Sequence, residues 1–107
     1  MITYADKIPY KDLGGGIARK VVTYSENLML CELTFKKGAV GALHKHVHEQ
    51  IGYVISGSFE VEEAGAGKKI IKAGDAYQIA PNVEHGVVAL EDSVLLDIFN
   101  PMRKDFV

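Results

Sequence analysis

All four histidines of this 107-residue chain fall in two places. Three crowd into His44-Lys45-His46-Val47-His48, and the fourth stands at His85. Residues 44, 46, 48 and 50 share a parity, so on a strand they project to one face carrying three imidazoles and the Gln50 amide. Imidazole is the commonest nitrogen ligand for divalent transition metals. Three of them with an oxygen donor make a site for Ni, Zn, Fe, Mn or Cu. The bland alternative is a polar solvated face, but chance rarely concentrates histidines at strict i, i+2 spacing. With only neutral ligands, a bound cation keeps its full charge, acts as a stronger Lewis acid and attracts an anionic substrate. An anionic ligand would favour a trivalent state, so redox chemistry is less expected.

The elements that must position these residues are short and β-rich. Eleven glycines punctuate the chain, and strands are predicted over residues 18–24, 28–35, 43–48, 51–56, 59–63, 69–72, 76–79, 86–90 and 94–99. About nine short strands at even spacing mean an all-β sandwich or barrel, not a βαβ sheet. One domain is expected, with an N-terminal arm over 1–17, a barrel over 18–99 and a tail over 100–107. Gly57-Ser58 is predicted to close a two-residue hairpin, and Ala64-Gly65-Ala66-Gly67 a longer one. Phe59-Glu60-Val61-Glu62 alternates, with its acids toward water. Gly14-Gly15-Gly16 lacks a following Lys-Ser/Thr and reads as a mobile connector. Asn100 is predicted to cap a single closing turn with Pro101 at its first position.

Twelve Lys and Arg against fourteen Asp and Glu give a net charge of -2. With Arg19 and Arg103 the only arginines, the positive footprint needed for nucleic acid is missing. No apolar run is long enough for a membrane span, and residues 1–12 do not read as a secretory signal, so a cytoplasmic protein is expected. The single Cys31, inside Leu28-Met29-Leu30-Cys31, reads as a buried structural thiol. An open barrel leaves strand edges to be covered; a homodimer is expected, with residues 2–10 the candidate for edge pairing. Tyr53 and Tyr77 read as core or pocket wall.

The spacing of the histidines resembles that of the cupins. Their first motif is matched by Gly38, five residues, His44-Lys45-His46, three residues, Gln50, six residues and Gly57; their second by Gly74-Asp75 and Ala80-Pro81-Asn82-Val83-Glu84-His85. The resemblance covers roughly residues 21–99 and implies a small double-stranded β-helix, the jelly-roll barrel of the cupin type. It also implies one divalent transition metal (Ni, Zn, Mn or Fe) on His44, His46, Gln50 and His85. Gln50, Ala80 and Asn82 stand where the family usually has glutamate, proline and glycine; asparagine tolerates left-handed angles, so the turn survives. His48 has no place in the ligand set and is expected to line the pocket behind it or to face solvent.

A narrower resemblance is to the pectin-degradation cupins. It rests on His44 through Val54, on Pro81-Asn82-Val83-x-His85-Gly86, and on Leu95-Leu96-Asp97-Ile98-Phe99-x-Pro101-x-Arg103-x-Asp105-Phe106. It implies an enzyme opening 4,5-unsaturated uronates to the linear 5-keto sugar acid, with Asp97, Phe99 and Arg103 completing the pocket around a small anionic sugar acid. Read from the residues alone, Asp97 is either a functional carboxylate tolerated in an apolar run or a solvent-facing one with Val94, Leu96 and Ile98 inward. Arg103 is either a surface residue or a bidentate carboxylate clamp. The competing readings are a non-catalytic binding cupin and a metal-dependent dioxygenase.

Overall fold

The computed structural model describes residues 1–107. Its strands are β1 (Lys11–Gly14), β2 (Ile17–Tyr24), β3 (Met29–Phe35), β4 (Val40–His44), β5 (Glu49–Ser56), β6 (Ser58–Glu63), β7 (Gly67–Lys72), β8 (Ala76–Ile79), β9 (His85–Ala89) and β10 (Ser93–Asn100). One sheet has the order β1-β2-β3-β10-β5-β8 and the other β4-β9-β6-β7. Every pairing is antiparallel. The result is the expected all-β jelly roll.

The core forms between the two sheets. Phe35 on β3 meets Phe59 on β6 edge-on, ring centroids 5.1 Å apart, with Val54, Val61, Ala89 and Leu95 around them. Each fully buried side chain of this size contributes roughly 1.5–3 kcal/mol. A second cluster joins Met29, Cys31 and Phe99, with Met102 and Phe106 of the tail packed against it. Cys31 is buried as expected. β10 is the strand that matters most for the site. It pairs with β3 on one side and β5 on the other, and it ends before Pro101, which has no N–H to continue a ladder.

Glycine explains where the local reading and the structure part. Gly57 (φ +84°) does not close a hairpin: β5 and β6 lie in different sheets, and the residue turns the chain from one to the other. A Cβ there would meet Ser93 Oγ at 2.0 Å, and that hydroxyl accepts from the Ser58 N–H at 3.1 Å. Gly14-Gly15-Gly16 is the turn of a β1–β2 hairpin and not a loose connector; all three have positive φ, and Asp12 Oδ1 accepts from the Gly14 N–H at 2.8 Å. Residues 11–14, read as part of the arm, are therefore a strand. The hairpin at Ala64-Gly65-Ala66 forms as expected, and Phe59 and Val61 are buried while Glu60 and Glu62 are not. Asn100 caps nothing, because it is still paired with Glu49; the closing 3-10 turn is Lys104–Phe106. No helix is long and apolar enough to cross a membrane.

Candidate metal centre and its cavity

His44 ends β4 and lies opposite His85, which starts β9. Gln50 is the second residue of β5 in the facing sheet, so the cluster bridges the two layers. The predicted strand over 43–48 does not form. The ladder stops at His44, residues 45–48 have no strand partners, and β5 begins at Glu49. Parity therefore cannot deliver His46; local hydrogen bonds do. His46 Nδ1 donates to the His48 carbonyl at 2.9 Å, His44 Nδ1 to that of Ala42 at 2.8 Å, and His85 Nδ1 to that of Val83 at 2.9 Å.

A carbonyl oxygen only accepts, so each Nδ1 carries a proton, and a neutral ring so held turns the lone pair of its Nε2 toward the cluster. One ligand atom from each of His44, His46 and His85 falls within 4.8 Å of the others. Burial holds His46 and His85 below the ordinary imidazole value, which keeps both neutral at pH 7. Gln50 completes the set. Its Oε1 lies 2.9 Å from His46 Nε2 and 3.1 Å from His85 Nε2. Its amide nitrogen donates to Tyr77 Oη at 3.4 Å, and Tyr77 in turn donates to Asp97 Oδ1 at 2.9 Å. That chain aims the amide oxygen at the imidazoles. Lone pairs thus converge with no proton to share, an arrangement that repels unless a cation stands among them. The donor set fits a divalent transition metal.

The same register turns Asp97 inward. Leu95, Asp97 and Phe99 are buried whereas Ile98 is exposed, so the solvent-facing reading of Asp97 is rejected. Burial pushes its carboxyl above the usual aspartate range, opposed by hydrogen bonds from Gln50 and Tyr77. The Tyr77 hydroxyl is pushed well up by burial and then by Asp97, and it stays protonated as the donor. Asp97, Phe99 and Arg103 line one cavity of ≈ 280 Å³ with His44, Gln50 and His85. His46 belongs to the ligand cluster without lining that cavity. Asn82 adopts φ +64° in the turn before His85, as an asparagine in a glycine's place should.

Arg103 lines the cavity as the resemblance implies, whereas Tyr53 departs from the sequence reading. The Arg103 fork already holds a carboxylate, that of Asp105, at 3.1 and 2.9 Å; its guanidinium lies over Phe106 and Phe99, 4.3 and 5.1 Å from the ring centroids. Tyr53 is neither core nor pocket wall: it lies 42% exposed on the outer face of β5. His48 lies outside the ligand cluster, half-buried behind His46 and edge-on to Phe99. Sequence reasoning missed the hydrogen-bonding part played by Tyr77, and it missed Arg19 and Phe106 in the wall. The scarcity of arginine was the only signal for Arg19.

Residues 31–99 match the family described as Cupin domain. The chain is 52% identical over 104 residues to the pectin degradation protein KdgF of Dickeya dadantii (strain 3937), covering 95% of this chain and 94% of that one. Among solved structures, KdgF from Halomonas sp. superposes with a TM-score of 0.95 at 40% identity, over 100% of this chain and 98% of that one. An RmlC-like cupin from Shewanella frigidimarina NCIMB 400 superposes with a TM-score of 0.94 at 37% identity, over 98% and 94% of the two chains.

Proposed function

The chain belongs to the cupin domain family, and from that premise we propose that it opens 4,5-unsaturated uronates, as released from pectin or alginate, to the linear 5-keto sugar acid. One observation carries the reading. A buried carboxylate with raised proton affinity, Asp97, lines the same cavity as three of the metal-type ligands. A purely ligand-binding cupin has no need of such a group, whereas general acid–base chemistry does. The similarity to KdgF, a pectin degradation protein by name, supports the substrate class. The cavity of ≈ 280 Å³ is near the small end of the ~300–1,000 Å³ range of small-molecule sites, which suits one sugar ring.

In this reading Asp97 takes the proton of the anomeric hydroxyl. The C1 carbonyl forms, the bond from C1 to the ring oxygen breaks, and that oxygen leaves as the enolate oxygen on C5. The proton held by Asp97 is returned at C4, giving the C5 ketone. Atoms and electrons balance without oxidant or nicotinamide. Tyr77 holds Asp97 in place and shields its charge until the proton arrives. Phe99 and Phe106 keep water from the enolate, their rings 5.7 Å apart. A divalent cation on His44, His46, Gln50 and His85 would supply Lewis-acid stabilisation of the charge on the C5 oxygen.

The test follows loss of the C4=C5 absorbance of free unsaturated galacturonate, and of its alginate counterpart, with metal-loaded protein under nitrogen. Acceleration over the spontaneous rate is expected. Turnover that requires oxygen would point to the dioxygenase reading, and no acceleration with either sugar would leave the binding-cupin reading.

A further inference from the structure

Arg19 is the one guanidinium of this chain without a carboxylate. The four ion pairs are Lys20–Glu32, Lys68–Glu60, Lys72–Asp75 and Arg103–Asp105. Along β2 the contrast between neighbours is plain. Lys20 is buried against the arm, donating to the Ala5 carbonyl at 2.8 Å and pairing with Glu32 at 3.3 Å. Arg19 points the other way, into the cavity that also holds His44, Gln50, His85 and Asp97. Its guanidinium carbon lies 3.5 Å from the centroid of Phe106. A guanidinium stacked that closely on a ring has one face covered and keeps its in-plane N–H donors available to a ligand. Removing a cation from water without a partner is costly, and burial indeed lowers the proton affinity of Arg19.

We infer that Arg19, stacked on Phe106, is the residue that recognises the carboxylate of a sugar acid in this cavity. The bidentate clamp expected at Arg103 is better placed here, because the Arg103 fork is occupied by Asp105 and the Arg19 fork is not. Arg103 then acts through the wall, gripping the tail and sharing the Phe106 ring. The identity of the acid as a uronate rests on the proposed function; the anion subsite rests on the geometry.

The two are separated by measuring binding of an acid that cannot react. Metal-loaded protein is titrated calorimetrically with D-galacturonate, which has no C4=C5 bond, and with D-galactose, its counterpart without a carboxylate. Wild-type protein should favour galacturonate. Arg19→Met, which keeps the stem against Phe106, should weaken galacturonate by about tenfold or more, the scale of a lost charge-assisted pair, and leave galactose, metal content and Tm unchanged. Arg19→Lys keeps the charge without the fork; it should fall between the two, and it decides the matter if the methionine variant does not fold. Wild-type affinity in either variant overturns the inference, as does a wild-type protein that does not distinguish the two sugars. Loss of galacturonate binding in a protein that never opens unsaturated uronates keeps the subsite and sinks the reaction. Unsaturated uronates opened at wild-type kcat/KM by Arg19→Met do the reverse.

Discussion

The ring of Tyr77 lies directly over Gly52, so close that a Cβ on Gly52 would stand 2.2 Å from Tyr77 Cζ. Gly52 pairs with Tyr77 on one side and Asp97 on the other. The empty position on β5 is what lets a tyrosine on β8 reach across a whole strand to a carboxylate on β10. The strictest packing demand near the site therefore falls on a residue with no side chain to offer.

Gly52→Ala should displace Tyr77 and break the chain from Asp97 to Gln50. A loss of about 1–3 kcal/mol in stability is expected from overpacking, with weaker metal binding, both read by thermal unfolding with and without added metal. Tyr77→Phe should leave the fold in place but free the Gln50 amide to rotate, so metal affinity should fall without the packing strain. Unchanged metal affinity in both variants would refute the positioning role of Tyr77.

Changing His44 and His46 together to Ala should abolish metal binding. Elemental analysis of the wild type should return roughly one divalent ion per chain, with metal–nitrogen distances of about 2.0–2.2 Å by X-ray absorption. A double variant that still carries a full equivalent would overturn the ligand assignment.

Asp97→Asn preserves an oxygen for the Tyr77 hydroxyl while removing the base. Metal content and Tm should hold, and the rate of uronate opening should fall at least ~10²-fold, the low end for losing a general base. A rate within a few-fold of wild type would remove Asp97 from the chemistry.

Cys31 is pushed up to about 11 from an ordinary 9.0, first by burial and then by Asp97. Folding favours its protonated form, so its contribution to stability is complete below the unfolded value and is lost as pH rises through the folded one. The native thiol should resist alkylation at pH 8 and react fully in denaturant, and Cys31→Ala should flatten the fall in stability between pH 9 and 11. Rapid alkylation of the native protein would contradict its burial.

What the sequence made legible was spacing. The intervals between His44, His46, Gln50 and His85 point to one cluster, and the three histidines do converge with the Gln50 oxygen beside two of them. Orientation was harder. Asp97 sits in a run apolar at both parities, so only pairing with Cys31 and Gly52 decides which face is inner. His46 joins the histidine cluster by a route other than strand alternation, which holds only where a ladder exists. Gly57 carries the same local signal for a hairpin as for a passage between sheets. Arg19 reaches the site through a ring from the far end of the chain, a contact that no local pattern contains.

The wall of the cavity has a division of labour. The metal-type ligands belong to strands and to the loops between them, while Arg103 and Phe106 ride on a tail that makes no strand pairing beyond Asn100. Substitutions at those tail positions can reshape the cavity without shifting the register of any strand. The wall of the cavity can therefore change under selection while the strand pairing and the donor set are left alone.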